Sequence, residues 1–118
     1  MSEQPLTASP DDEPARCMGT PRDGRWPTFE RRLILAHPFC AACGCAEVDA
    51  LEGHHVVPFH EQPDRELDPE NVRILCGHRA NACHRLIGHG GNWRLINREV
   101  DAAIAFLAAM YARIRAGN

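Results

Sequence analysis

Residues 51–58 read Leu51-Glu-Gly-His-His-Val-Val-Pro58, and residues 71–76 read Asn71-Val-Arg-Ile-Leu-Cys76. Both runs predict short strands. Leu51 through Val57 forms the first, weakened by Gly53, and in the second Val72 and Ile74 alternate against Arg73. The thirteen residues from Pro58 to Glu70 are polar, hold three prolines and predict a loop. Two strands around so long a loop make an irregular hairpin, and loops of that length in small domains are functional or mobile.

Upstream of the hairpin, Cys40-Ala-Ala-Cys43-Gly44-Cys45 has the spacing of a metal knuckle, with Gly44 permitting the turn that aims two thiolates at one ion. Before it, order is expected to begin near Trp26. Pro27 suits a first helical turn, Phe29, Leu33 and Ala36 follow at helical spacing, and Pro38 stops the helix after His37. Downstream, Asn81 is the expected cap of a short helix through Cys83, His84, Leu86 and Ile87 that Gly88 ends. Asn97 is the expected cap of a last helix. Its apolar residues Val100, Ile104, Leu107, Tyr111 and Ile114 share one face, expected to dock on the domain.

The chain of 118 residues fits one domain, with 44% apolar, 25% charged and only 6% aromatic residues, so its core must be mostly aliphatic. Residues 1–24 are expected to be an acidic, proline-rich disordered tail, and 25–118 the functional domain. No apolar run is long enough for a transmembrane helix. The acidic start lacks the apolar stretch of a secretory signal, so a cytoplasmic location is expected. The net charge of −3 hides segregation: residues 47–70 carry eight acids and one Arg, residues 71–98 five Arg and no acid. A locally basic surface can bind nucleic acid whatever the total.

Six cysteines without a signal peptide favour zinc over disulfides. Cys40, Cys43, Cys76 and Cys83 form the expected set, with Cys17 and Cys45 left over. Six residues separate Cys76 from Cys83, wider than the usual two to four, so His78 and Cys45 stay open as alternative ligands. A second group gathers His54, His55, Asn71 and His84, with His89 as an outlier. Neighbours on a strand face opposite ways, and Cys83 and His84 on a helix diverge by about 100°. One residue of each pair can therefore serve one site while the next serves another. Singly, each histidine is best read as structural; jointly, they read as a site.

The order Cys-x-x-Cys, His-His-x-x-Pro, acidic loop, Asn-Val-x-x-Leu-Cys, Cys-His resembles the HNH endonuclease family in its cysteine-containing bacterial and phage form. The match is carried by His37-Pro-Phe-Cys-Ala-Ala-Cys-Gly44, Leu51 to Pro58, Leu67-Asp-Pro-Glu-Asn-Val-Arg-Ile-Leu-Cys76 and Cys83-His-Arg-Leu-Ile-Gly-His-Gly90. The resemblance implies an α+β fold, the ββα-metal (His-Me finger) core, here with a zinc knuckle and flanking N- and C-terminal helices. It implies a single divalent ion on His54 and His84, with His55 as general base and Asn71 fixing the loop that orients His55. Cys40, Cys43, Cys76 and Cys83 would hold structural zinc. His89 joins the ion only if the chain swings back after Gly88. Magnesium, manganese, nickel and zinc are the candidate ions at the active site, imidazole favouring the last three.

The implied reaction is hydrolysis of DNA phosphodiester bonds, with neutral His55 accepting a proton from water. Arg73, Arg79, Arg85 and Arg94 flank the cluster, and Arg85, beside His84, is the expected phosphate contact. The acid-rich stretch 61–70 would repel DNA unless it faces away or restricts approach. Two other readings stand beside the nuclease: a zinc-stabilised nucleic-acid-binding module without catalysis, and a toxin-type nuclease domain with an immunity partner. A phage terminase or another DNA-processing protein is the partner the resemblance implies.

Overall fold

A computed structural model describes residues 21–117; Cys17 and most of the expected tail lie outside them. Helix α1 spans Trp26–Ala36, strand β1 Leu51–His55, strand β2 Val72–Cys76, and helix α2 Val100–Ala116. A single π-helical turn, His84–Gly88, stands between β2 and α2. The strands pair antiparallel from Leu51 opposite Cys76 to His55 opposite Val72. Two strands alone are marginal in water. Here the sheet is packed by α1, by the π-helical turn and by the first residue of α2, Val100, which is fully buried. The architecture is the expected α+β hairpin with flanking helices, and the elements differ from expectation in five places.

First, the inward face of α1 overlaps only in part the one its apolar spacing suggested: Leu33 packs on the core as expected. Trp26 and Ile34 are buried, whereas Ala36 is exposed. Glu30 lies between them in sequence because its carboxylate accepts the Gly53 N–H at 2.7 Å. Gly53 suits that packing: a Cβ there would stand 3.1 Å from the Trp26 ring and 3.2 Å from Val72, so those neighbours would have to shift. Second, β1 stops at His55, two residues early, and Asn71 closes a 3-10 turn ahead of β2.

Third, Asn81 caps no helix. Its side chain donates to the Cys43 sulfur at 3.3 Å, and the turn starts only at His84. Fourth, Asn97 lies two residues before the backbone cap Glu99. It donates to the Ile87 carbonyl at 2.6 Å and accepts the Glu99 N–H. A tertiary partner took the Asn81 amide outright, whereas Asn97 divides, its amide going to Ile87 and its oxygen staying on the chain entering the helix. Fifth, Ile104, Leu107 and Tyr111 pack on the core as expected, but Ile114 is exposed, so the docked stripe of α2 ends a turn early. Beyond it Arg115 fastens the helix, donating to the Cys43 carbonyl at 2.7 Å.

Among the described residues, no helix is long and apolar enough to cross a membrane. The loop between the strands contains two 3-10 turns, Pro63–Arg65 and Pro69–Asn71. Three of its five acids are paired with arginines: Glu61 with Arg98, Asp68 with Arg65, and Glu66 with Arg22. The loop therefore presents less negative charge than its composition suggests.

Candidate active site and metal centres

Cys40 and Cys43 lie on a knuckle closed by the Gly44 N–H to the Cys40 carbonyl at 3.0 Å. Gly44 takes a φ of +80°, the left-handed region where a side chain would strain the backbone. Cys76 ends β2, and Cys83 immediately precedes the π-helical turn. The four sulfurs lie within 4.8 Å of one another, and all four residues are buried. Cys43 and Cys76 sulfurs stand 3.7 Å apart. A disulfide needs about 2.0 Å, whereas two corners of a tetrahedron with zinc–sulfur bonds of about 2.3 Å are about 3.8 Å apart. Cys45 and the exposed His78, the alternative ligands, are outside the cluster.

Electrostatics point the same way. Burial alone would raise the Cys43 thiol. Hydrogen bonds from the Asn81 amide, the Cys45 backbone, Cys40 and Cys76 outweigh it and hold it at about 7. Burial pushes Cys76 and Cys83 up, and the charge of Cys40 adds to both. Thiolates gathered this closely oppose one another's ionisation, a conflict that a soft divalent cation removes. The donor set fits zinc.

The second cluster is His54, His84 and His89, with nitrogens within 4.8 Å of one another. His54 comes from β1, His84 opens the π-helical turn, and His89 follows it. In an α-helix five residues advance about 500°, leaving positions 84 and 89 about 140° apart. The wider i→i+5 turn returns them to one side, where their rings are 5.1 Å apart. His84 Nδ1–H donates to Glu52 Oε1 at 2.8 Å, and His89 Nδ1–H donates to the Leu95 carbonyl at 2.9 Å. Both rings therefore keep the Nε2 lone pair, the arrangement seen in metal-binding histidines. Burial, then the neighbouring His84 and His89, push His54 down to about 2, so it is a neutral donor at neutral pH. Three imidazole donors suit a nitrogen-seeking divalent ion.

His55 points away from that group. Its ring lies 4.6 Å from Trp26 and 5.6 Å from Phe59. His55 Nε2 donates to the Glu66 carbonyl at 2.9 Å, since a carbonyl can only accept, and Nδ1 therefore carries the ring's lone pair. Asn71, 1% exposed, holds the loop that brings Glu66 there. It accepts the Val57 N–H at 2.9 Å and donates to the Val57 and Arg65 carbonyls at 2.9 and 3.3 Å.

The arginines divide. Arg73 makes a two-pronged bond to Asp101 at 2.7 and 3.0 Å. Arg85 donates to the Gly91 carbonyl at 2.8 Å, bracing the chain around His89. Arg79 and Arg94 are exposed. Sequence reasoning passed over four residues. Glu52 was recoverable from strand alternation, being two positions before His54. Trp26 was taken only as a helix start. Trp93 packs 5.0 Å from both His84 and His89, and Arg22 lies over Trp26 and Phe59 at 4.9 and 4.5 Å. Nothing in the local pattern marks these last two.

Residues 40–90 match the HNH endonuclease family, which bears out the resemblance read from the sequence and supports a nuclease-type function. Curated proteins and solved structures returned no match.

Proposed function

We propose that this chain is a metal-dependent endonuclease that hydrolyses DNA phosphodiester bonds, with His55 as general base. The observation that carries the reading is the pair of adjacent histidines. His54 joins two other convergent imidazoles, while His55 is oriented separately by a backbone carbonyl. A binding module has no need of a tautomer-fixed base one residue from a metal cluster.

The Glu66 carbonyl fixes the His55 proton on Nε2, so Nδ1 is the atom that takes a proton from the attacking water. Trp26 and Phe59 confine the ring, and Asn71 keeps the carbonyl in position. His54, His84 and His89 would hold a single divalent ion. When bound, that ion supplies Lewis-acid neutralisation of charge on the phosphate and the leaving oxygen. Nickel, zinc and manganese suit these donors better than magnesium, which prefers oxygen. Cys40, Cys43, Cys76 and Cys83 would hold structural zinc. Arg85 contacts the phosphate with donors not spent on Gly91.

The test is nicking of supercoiled plasmid by wild type and His55→Ala, with EDTA, magnesium, manganese, nickel or zinc. Cleavage that needs metal and is lost in the variant is expected. No cleavage with any ion, alongside a metal-independent gel shift, would replace the enzyme by a binding module.

A further inference from the structure

We infer that Glu52 is a positioning residue for the three-histidine centre and that Gly77 exists to make room for it; this rests on reading that centre as a metal site. Glu52 and His54 are two apart on β1, so their side chains leave the same face of the sheet. From there Glu52 Oε1 takes the Nδ1–H of His84 at 2.8 Å. A carboxylate accepts and cannot donate, so this contact selects the His84 tautomer whose lone pair sits on Nε2, and it fixes the ring about its own axis. Glu52 is not one of the atoms that converge with His54, His84 and His89, so it acts on the ligand and not on the ion.

Gly77 supplies the second, independent observation. It directly follows β2, and β2 pairs with β1 so that Leu75 faces Glu52. A Cβ at position 77 would stand 2.6 Å from Glu52 Oε2, 2.8 Å from Cδ and 3.1 Å from Oε1. All three nearest atoms belong to that one carboxylate. Gly77 is not among the residues with positive φ, so backbone conformation does not demand glycine there. What demands it is the carboxylate. The obstacle is the far end of a flexible side chain, so Gly77→Ala folds and simply pushes Glu52 off His84.

The two substitutions should therefore share a phenotype although one leaves every polar group in place. Nickel chloride is titrated calorimetrically into the zinc-loaded full chain, with zinc content measured beside it. Glu52→Gln and Gly77→Ala are each expected to weaken nickel binding by about 10- to 100-fold at unchanged zinc content. The 15N shifts of the His84 ring in protein without nickel are expected to move away from a pure Nδ1–H tautomer in both. His84→Ala is the control for the site itself. Nickel affinity unchanged in both variants, but lost in His84→Ala, overturns the role of Glu52 and leaves the site standing. Affinity unchanged in His84→Ala overturns the site and the role of Glu52 together. If Glu52→Gln fails to fold, Gly77→Ala decides alone, by the same readings.

Discussion

Replacing Asn71 by alanine tests the link between loop and base. The wild-type side chain makes three hydrogen bonds to backbone, at 2.9, 2.9 and 3.3 Å. The two shorter ones each contribute about 1 kcal/mol net, and the longer one less. Removal also leaves the Val57 N–H and the Val57 and Arg65 carbonyls to find water at a site where Asn71 is 1% exposed. An unsatisfied buried group costs about 1–3 kcal/mol, reduced here because the bonded backbone is only partly buried. The sum is about 3 kcal/mol, equivalent to a fall in Tm of roughly 12–24 °C for a domain near 100 residues. Thermal unfolding of zinc-saturated Asn71→Ala measures it. Cleavage should fall as well, because the Arg65–Glu66 segment carries the carbonyl that orients His55. Asn71→Asp should be no better: it keeps the acceptor for Val57 but turns the donor into an acceptor facing two carbonyls. A Tm within 4 °C of wild type at ~1 kcal/mol or less of destabilisation would refute the reasoning.

Three further outcomes follow from the same geometry. Cys40→Ser should lose zinc and folding stability together, read by metal analysis and circular dichroism; a folded, metal-free variant would remove the knuckle reading. With the histidine centre free of metal, stability should fall as pH drops below about 6.5, because the unfolded chain then protonates His54 while the folded state, where it is held down at about 2, does not. That contribution is complete above 6.5 and lost progressively towards pH 2, so His54→Gln should flatten the urea-unfolding slope between pH 6.5 and 4.5. Arg22→Ala should destabilise by about 1–2 kcal/mol through lost contact with the Trp26 and Phe59 rings; an unchanged urea midpoint would show that the guanidinium is dispensable there.

Cys-x-x-Cys, the two hairpin strands and the divergence of Cys83 from His84 were legible in the sequence, because each depends on spacing along a regular backbone. The rest required the tertiary structure. Whether the chain after Cys83 winds with α or π periodicity is not written in apolar spacing, yet it decides where His89 goes. Glu30 was read past because a carboxylate breaks an apolar stripe, although a strand N–H makes it welcome inside. Asn81 and Asn97 carry strong capping propensity, and only contact with Cys43 and Ile87 shows why neither caps a helix. The acidic loop was a puzzle in composition alone, and its ion pairs with Arg22 and Arg98 join residues far apart in sequence.

Cys83 belongs to the sulfur cluster and His84, the next residue, to the imidazole cluster. One peptide unit therefore sets the distance and angle between the two centres, whatever the surrounding segments do. Gly77 and Asn81, between Cys76 and Cys83, serve the two groups separately, the first by leaving room for Glu52 and the second by its bond to Cys43, whereas the 83–84 peptide joins them directly. A single residue inserted between 83 and 84 would swing the imidazole by about 100° and leave its partners behind. Transplanted into another scaffold, this dipeptide would be the indivisible part.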